Sequence, residues 1–373
     1  MNVIISAGGT GGHIFPAVAV ADELRRQDPS VNILFVGALG KMEMERVPKA
    51  GYAIEGLPIA GFQRRLTAKN VWLNVQLPFK IIKSLLKVRR ILKRFKPDVA
   101  VGFGGFASGP TLKAAASLGI PTILQEQNSY AGVTNKLLAE KAVKICVAYD
   151  GLSRFFPADK IIVTGNPVRS DIIDVRAKYT EGVTYFGLDP KKKTVAILGG
   201  SLGAKTLNMA MEQNAELISN QSDVQILWQC GRLYEEDFKN GKAANLPNVQ
   251  MRSFVDRMDL AYAVADVVIA RAGALTISEL CLAGNPSVLV PSPNVAEDHQ
   301  TKNAMALVKK KAAILVKDAD ANKAMLKTAF AILTNGKQAG ELRQNILSLG
   351  KPNAAKDIAA VINQYHRLWS ASI

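Results

Sequence analysis

Three glycine-rich segments and one histidine carry much of the chemistry open to this sequence. The segments are Gly8-Gly9-Thr10-Gly11-Gly12-His13, Gly102-Phe103-Gly104-Gly105-Phe106 and Gly199-Gly200-Ser201-Leu202-Gly203-Ala204. Each follows a short apolar run: Asn2 to Ser6, Val99 to Val101, Thr194 to Leu198. Each precedes a helical pattern. Backbone amides at such a strand-to-helix turn point outward with the helix dipole behind them, which suits a diphosphate or another anion. Three such loops imply an enzyme handling two phosphate-bearing substrates. His13 opens a helix directly after the first loop. Imidazole titrates near working pH, so His13 could serve as a general base or could simply bond the helix start.

The second half holds further polar groups at strand ends. Glu279, in Arg271-Ala272-Gly273-Ala274-Leu275-Thr276-Ile277-Ser278-Glu279, falls in the first turns of a helix. A carboxylate there can accept two ribose hydroxyls, or it can simply complement the helix dipole. Asn294 to Gln300 is a polar loop suited to sugar hydroxyls. Asp318-Ala319-Asp320 looks like a metal-binding DxD, but its Lys- and Asn-rich setting reads as a surface turn, so no metal site is expected. A dinucleotide reading of the first loop fails, because Ile14 replaces the third glycine and Phe35-Val36-Gly37 brings no acid for a ribose. The third loop also matches the G-x-S-x-G elbow of serine hydrolases, with Ser201, Asp266 or Asp318, and His366 in the right order. That reading leaves the first loop and the basic patch unexplained.

The elements positioning these groups alternate strand and helix. VIIS, ILFVG, AVGF, TILQEQ and KICVAY mark one half; TVAIL, VQILWQ, VQMRSF, VVIARA and SVLVPS mark the other. This is the rhythm of parallel sheets covered by helices. Two Rossmann-like α/β domains facing across a cleft are expected, joined near Val163 to Arg169. The boundaries are 1–164, 165–350, and a C-terminal helix over 351–373 that packs back on the first domain. At 373 residues and 48% hydrophobic, the chain can bury two cores. Its three cysteines, Cys146, Cys230 and Cys281, form no CxxC pair and read as free thiols in a reducing compartment. No signal peptide precedes the first strand, and prolines interrupt the longest apolar run.

Net charge is +16, and eleven basic residues lie between Glu55 and Asp98 with no acid among them. Ile81, Leu85, Val88, Leu92 and Phe95 are spaced as one buried helix face; Lys80, Lys83, Lys87, Arg90 and Arg94 are spaced as the opposite one. A plain solvated face would show the same spacing. Phe79, Ile82 and Leu86 fall beside the cations, and Trp72 lies just upstream. Cations beside exposed apolar groups suit an interfacial contact with anionic lipids. Nucleic acid is not expected, since aromatics make up only 6% of the chain and no nucleic-acid motif occurs.

GGTGGHIFPAVAVADEL, VGFGGFASGP, QEQNSYAGVTNK, GNPVR, GGSLGAKTLN, RAGALTISEL and DHQTKNA occur in that order. Together they resemble the bacterial MurG family of N-acetylglucosaminyltransferases over Met1 to about Asn303. The resemblance implies a GT-B architecture and transfer of N-acetylglucosamine from UDP-N-acetylglucosamine, without a cofactor. The acceptor it implies is undecaprenyl-diphosphoryl-N-acetylmuramoyl-pentapeptide, used in peptidoglycan synthesis at the cytoplasmic face of the cell membrane. Other cell-wall synthesis proteins become candidate partners. Thr10, Gly11 and Gly12 would lie at the diphosphate or transferred sugar, and Asn128 and Arg169 at the nucleotide sugar. Gly200 and Ser201 would hold the diphosphate, the Val255 backbone would pair with uracil, and Gln300 would read the sugar. Ala274, Leu275, Thr276, Ile277, Ser278 and Glu279 would grip nucleotide and ribose. Leu202 departs from the glutamine expected in many relatives. His13 would be the base, with Glu126 in reserve. Lipid glycosyltransferases and UDP-N-acetylglucosamine 2-epimerases share the nucleotide-binding half and remain alternatives.

Overall fold

The computed structural model describes residues 1–61, 67, 72, 75–200 and 202–370. Ser201 therefore lies outside the described residues, as do Arg64, Arg65 and Lys69 of the basic segment. The chain divides into two compact units, Met1–Val168 with Asn353–Ile373, and Arg169–Pro352.

In the first unit, β1 (Asn2–Ser6), β2 (Asn32–Ala38), β3 (Ala53–Leu57), β4 (Val99–Gly102), β5 (Thr122–Glu126), β6 (Lys144–Val147) and β7 (Ile161–Val163) form one sheet. Its order is β3-β2-β1-β4-β5-β6-β7, and every pair is parallel. The inner strands read as unbroken apolar runs because both faces are covered. In β1, Val3 and Ile5 enter one core cluster and Ile4 enters the other.

The second unit repeats the plan. Its strands are β8 (Lys193–Leu198), β9 (Val224–Gln229), β10 (Val249–Arg252), β11 (Val267–Ala270), β12 (Ser287–Leu289) and β13 (Ile314–Leu315). The order is β10-β9-β8-β11-β12-β13, again parallel throughout. Val195 and Ile197 face one core; Leu227 faces a smaller one with Val255 and Leu260.

Both sheets are doubly wound. Each reverses its winding between two central strands, β1 and β4 in the first, β8 and β11 in the second. At such a switch point the neighbouring loops diverge to opposite faces and leave a crevice at the carboxyl edge. The three glycine segments and Arg271–Glu279 follow these four strands.

The last helix, Ala354–Ser370, belongs to the first unit although it comes last in sequence. Ile358, Ala359 and Ile362 are fully buried in the cluster that holds Val3 and Ile5. Asn363 donates to Gln27 at 2.9 Å, and His366 Nδ1 lies 3.5 Å from Asp98 Oδ2. Ile362→Ala should destabilise the first unit by about 2–5 kcal/mol, read from its urea unfolding midpoint.

Candidate functional site

At the first switch point, the loop after β1 turns through Gly9 (φ 85°) into the helix Gly11–Gln27. His13 Nδ1 lies 2.8 Å from the Gly8 carbonyl oxygen and 3.3 Å from Thr10 Oγ1. A carbonyl can only accept, so Nδ1 carries the proton and the basic lone pair sits on Nε2. The loop after β4 packs on that edge of the ring: a Cβ at Gly104 would come within 3.0 Å of Nε2. Gly105 meets the Gly8 backbone so closely that its Cβ would lie 2.3 Å from the Gly8 oxygen.

Glu126 ends β5 and is 2% exposed. Its oxygens accept from Asn128 N (3.1 Å), Asn128 Nδ2 (3.3 Å), Gly132 N (3.0 Å) and Asn135 Nδ2 (2.8 Å). The carboxylate thus folds the 126–135 segment around itself and sets Asn128. Gln125 donates to Asn166 (2.9 Å), Asn166 to the Gln127 carbonyl (3.0 Å), and Gln127 to the Phe103 carbonyl (2.7 Å). These bonds interlock the QEQN motif, the Asn166 turn and the second glycine loop.

At the second switch point, Gly200 (φ 81°) faces open space, with nothing within 4 Å of a Cβ built there. The helix Lys205–Gln213 follows it. After β11, the helix Ala274–Ala283 carries Glu279, which accepts from Tyr262 Oη at 2.8 Å. Burial pushes the Glu279 carboxyl up; the Tyr262 bond and the Arg169 charge pull it back. Burial likewise holds the Tyr262 hydroxyl well above its ordinary value. Arg169 Nε lies 3.3 Å from Asp171. Gln300 Oε1 accepts from Ser292 N at 2.9 Å. The Val255 side chain is core, so only its main chain can meet a ligand.

Several expectations change. Asp318 is no simple surface turn: it pairs with Arg271 and accepts from Thr206 Oγ1 at 3.1 Å. Arg271 also donates to the Val290 and Pro291 carbonyls (3.0 and 3.3 Å), so it ties the loop after β11 to those around β12 and the start of the helix from Lys205. The hydrolase triad fails. Asp266 accepts from Thr194 N at 2.8 Å at the opposite edge of the sheet from the glycine loop. Six strand residues, roughly 20 Å, separate those edges. His366 is instead paired with Asp98, its Nδ1 3.5 Å from Asp98 Oδ2. The cysteines are buried and free, and burial pushes the Cys146 and Cys281 thiols up to about 12. Sequence reasoning missed Glu43, Tyr262 and the role of Arg271. An arginine directly after a buried strand was a usable signal; Glu43 and Tyr262 gave none.

The basic segment forms the helix Leu77–Phe95. Its buried residues are Ser84, Val88, Ile91 and Leu92, while Ile81, expected in the core stripe, is exposed. Ser84 takes an inward position that the apolar pattern assigned to other residues. Trp72 (64%), Phe79 (73%), Ile82 (57%) and Leu86 (54%) are exposed. Lys87 donates to the Gly56 carbonyl at 2.7 Å and Arg94 pairs with Glu55, so both cations are tied to β3. Lys83 and Arg90 are exposed, and Lys80 is half-buried. Among the described residues, no helix is long and apolar enough to cross a membrane.

Two doubly wound parallel sheets, each with a glycine loop at its switch point, are the plan of a nucleotide-sugar glycosyltransferase of the GT-B architecture. Residues 3–147 match the glycosyltransferase family 28 N-terminal domain and residues 194–361 the family 28 C-terminal domain. The chain is 54% identical over 361 residues to a Bacteroides fragilis protein, covering 96% of this chain and 94% of that one. A Flavobacterium psychrophilum protein is 55% identical over 358 residues, covering 95% of each. Both are named UDP-N-acetylglucosamine–N-acetylmuramyl-(pentapeptide) pyrophosphoryl-undecaprenol N-acetylglucosamine transferase. The crystal structure of Acinetobacter baumannii MurG superposes with a TM-score of 0.77 at 32% identity, over 97% of this chain and 99% of that one. A Neisseria meningitidis UDP-GlcNAc 2-epimerase bound to UDP-GlcNAc shares the fold, with a TM-score of 0.68 at 15% identity over 98% and 100% of the two chains. The chain belongs to glycosyltransferase family 28 and, within it, to the MurG family of N-acetylglucosaminyltransferases.

Glu279 supplies a stability test. A raised carboxyl contributes fully below the unfolded carboxylate range, and that contribution is lost as pH rises through the folded value. Tyr262→Phe removes the bond that limits the loss. The variant should be less stable by about 1.5–3 kcal/mol at neutral pH, and much less affected below about pH 4. Urea midpoints at the two pH values check this.

Proposed function

We propose that the chain moves N-acetylglucosamine from UDP-N-acetylglucosamine to the 4-hydroxyl of the muramoyl unit of undecaprenyl-diphosphoryl-N-acetylmuramoyl-pentapeptide, with inversion. The observation that carries this is the near full-length identity to transferases of that name, 54% over 96% of the chain. The two switch points offer matching chemistry.

In the second unit, the amides of Gly200 and Ser201 take the donor diphosphate, aided by the dipole of the helix that starts at Lys205. Glu279 accepts the ribose hydroxyls, the Val255 main chain pairs with uracil, and Ala274 to Ser278 line the nucleotide. Arg169 and Gln300 read the sugar, with Asn128 of the first unit as a further reader. In the first unit, Thr10, Gly11 and Gly12 face the transferred sugar. The acceptor oxygen attacks the anomeric carbon from the face opposite UDP. The bond to UDP breaks, its charge settles on the diphosphate amides, and the acceptor proton passes to His13 Nε2. Glu126, the other base candidate, already accepts four N–H bonds and serves as a scaffold.

The enzyme sits on the cytoplasmic face of the membrane as a peripheral protein. Trp72, Phe79, Ile82 and Leu86 enter the interface of anionic lipids, and the neighbouring cations meet the head groups.

His13→Ala should lower turnover by about 100- to 10,000-fold with UDP binding retained in calorimetry; near-normal turnover would remove His13 as the base. Labelled disaccharide lipid should form from labelled donor in EDTA as well as in magnesium. Product only with magnesium would reopen Asp318 and Asp320. Lys80, Lys83 and Arg90 changed together to glutamate should release the protein from anionic vesicles while sparing turnover on a short soluble acceptor. Lys87 and Arg94 are left in place because they hold β3.

A further inference from the structure

We propose that Glu43 is a positioning residue for the transfer reaction, acting on His13 through the single peptide group between Gly8 and Gly9. The proposal rests on the reading of His13 as the base. Glu43 is completely buried. Its Oε2 accepts from Gly9 N–H at 2.9 Å, and its Oε1 accepts from Ala38 N–H at 2.9 Å. The Gly9 N–H and the Gly8 carbonyl belong to one planar amide. That same carbonyl accepts the His13 Nδ1 proton at 2.8 Å. The sequence of groups is therefore carboxylate, amide N–H, carbonyl, imidazole N–H.

Such a chain is polarised from the charged end. A carboxylate on the N–H concentrates negative charge on the carbonyl oxygen and strengthens its bond to the ring. The gain is largest once His13 has taken the acceptor proton and become imidazolium. A base oriented by a third group is a general device of catalysis, and here the third group works through one intervening peptide.

The packing leaves this amide little freedom. A Cβ on Gly8 would lie 2.1 Å from Glu43 Oε1, and one on Gly37 would lie 2.5 Å from Glu43 Cγ. Gly105 closes the other side of Gly8. The carboxylate also occupies the Gly9 amide, one of the donors that a diphosphate in the first loop would use. The first loop thus differs in kind from the third, where Gly200 faces open space.

Glu43→Gln removes the charge and turns an amide toward an N–H donor. In folded enzyme it should lower kcat about 10- to 100-fold, less than loss of the base itself, with KM for UDP-N-acetylglucosamine unchanged. Nitrogen NMR of His13 should show the proton on Nδ1 in the wild type and a shift toward Nε2 in the variant. A folded variant with wild-type kcat and an unchanged His13 spectrum would overturn the proposal. So would a wild-type imidazole protonated on Nε2, a measurement that needs no variant. If Glu43→Gln does not fold, Glu43→Asp, which keeps the charge but cannot span both amides, should give the same changes, and wild-type behaviour from it would refute the proposal. Normal turnover in His13→Ala would sink the base assignment and the positioning role that rests on it, whereas failure of the NMR comparison would sink the Glu43 link while leaving His13 as the base.

Discussion

Backbone meeting backbone at the carboxyl edge of a parallel sheet is the constraint on which this structure depends. A doubly wound sheet must send the loops of its two central strands to opposite faces, and their unpaired amides gather at the point of divergence. The two units resolve this differently. In the first, Gly105 presses on Gly8, so the loop after β1 is pinned across the switch point by the loop after β4. In the second, Gly203 presses on Cys230 and Gly231, so the loop after β8 is pinned toward β9, away from the switch point. One loop is thereby held backbone to backbone at the switch point, and the other leaves Gly200 open.

Buried carboxylates hold this arrangement in place. Glu43, Glu126 and Asp259, and the half-buried Glu279, each accept from nearby donors, which makes their removal from water tolerable. Asp259 accepts from Arg257 (2.9 Å) and Lys178 (2.8 Å), and the Arg257 guanidinium beside it holds its carboxyl well below the usual range. It anchors the turn just after Val255. Glu43 and Glu126 bind main-chain amides, while Asp259 and Glu279 bind side chains.

The strands were legible because both faces of a parallel sheet are covered, and a run such as Val195 to Leu198 can be little else. The glycine loops were legible because a cluster of residues without Cβ atoms marks a place where backbone must come close to backbone or to a ligand. The basic helix was legible as a helix, but its inward face was not. Ile81 has a core residue's chemistry and lies outside, while Ser84 lies inside. Glu43 and Tyr262 could not be read at all. Their partners lie at Gly9 and Ala38, and at Glu279, and no local spacing reports which loop a helix end will meet. Asp318 was misjudged for the same reason: its partner Arg271 is 47 residues away.

The last helix carries a consequence for synthesis on the ribosome. The core that receives Ile358 and Ile362 is built around β1, the first strand to emerge. That core stays open along one face until the helix Ala354–Ser370 has left the exit tunnel. A nascent chain stalled near residue 350 would expose apolar surface on the unit that bears the proposed base.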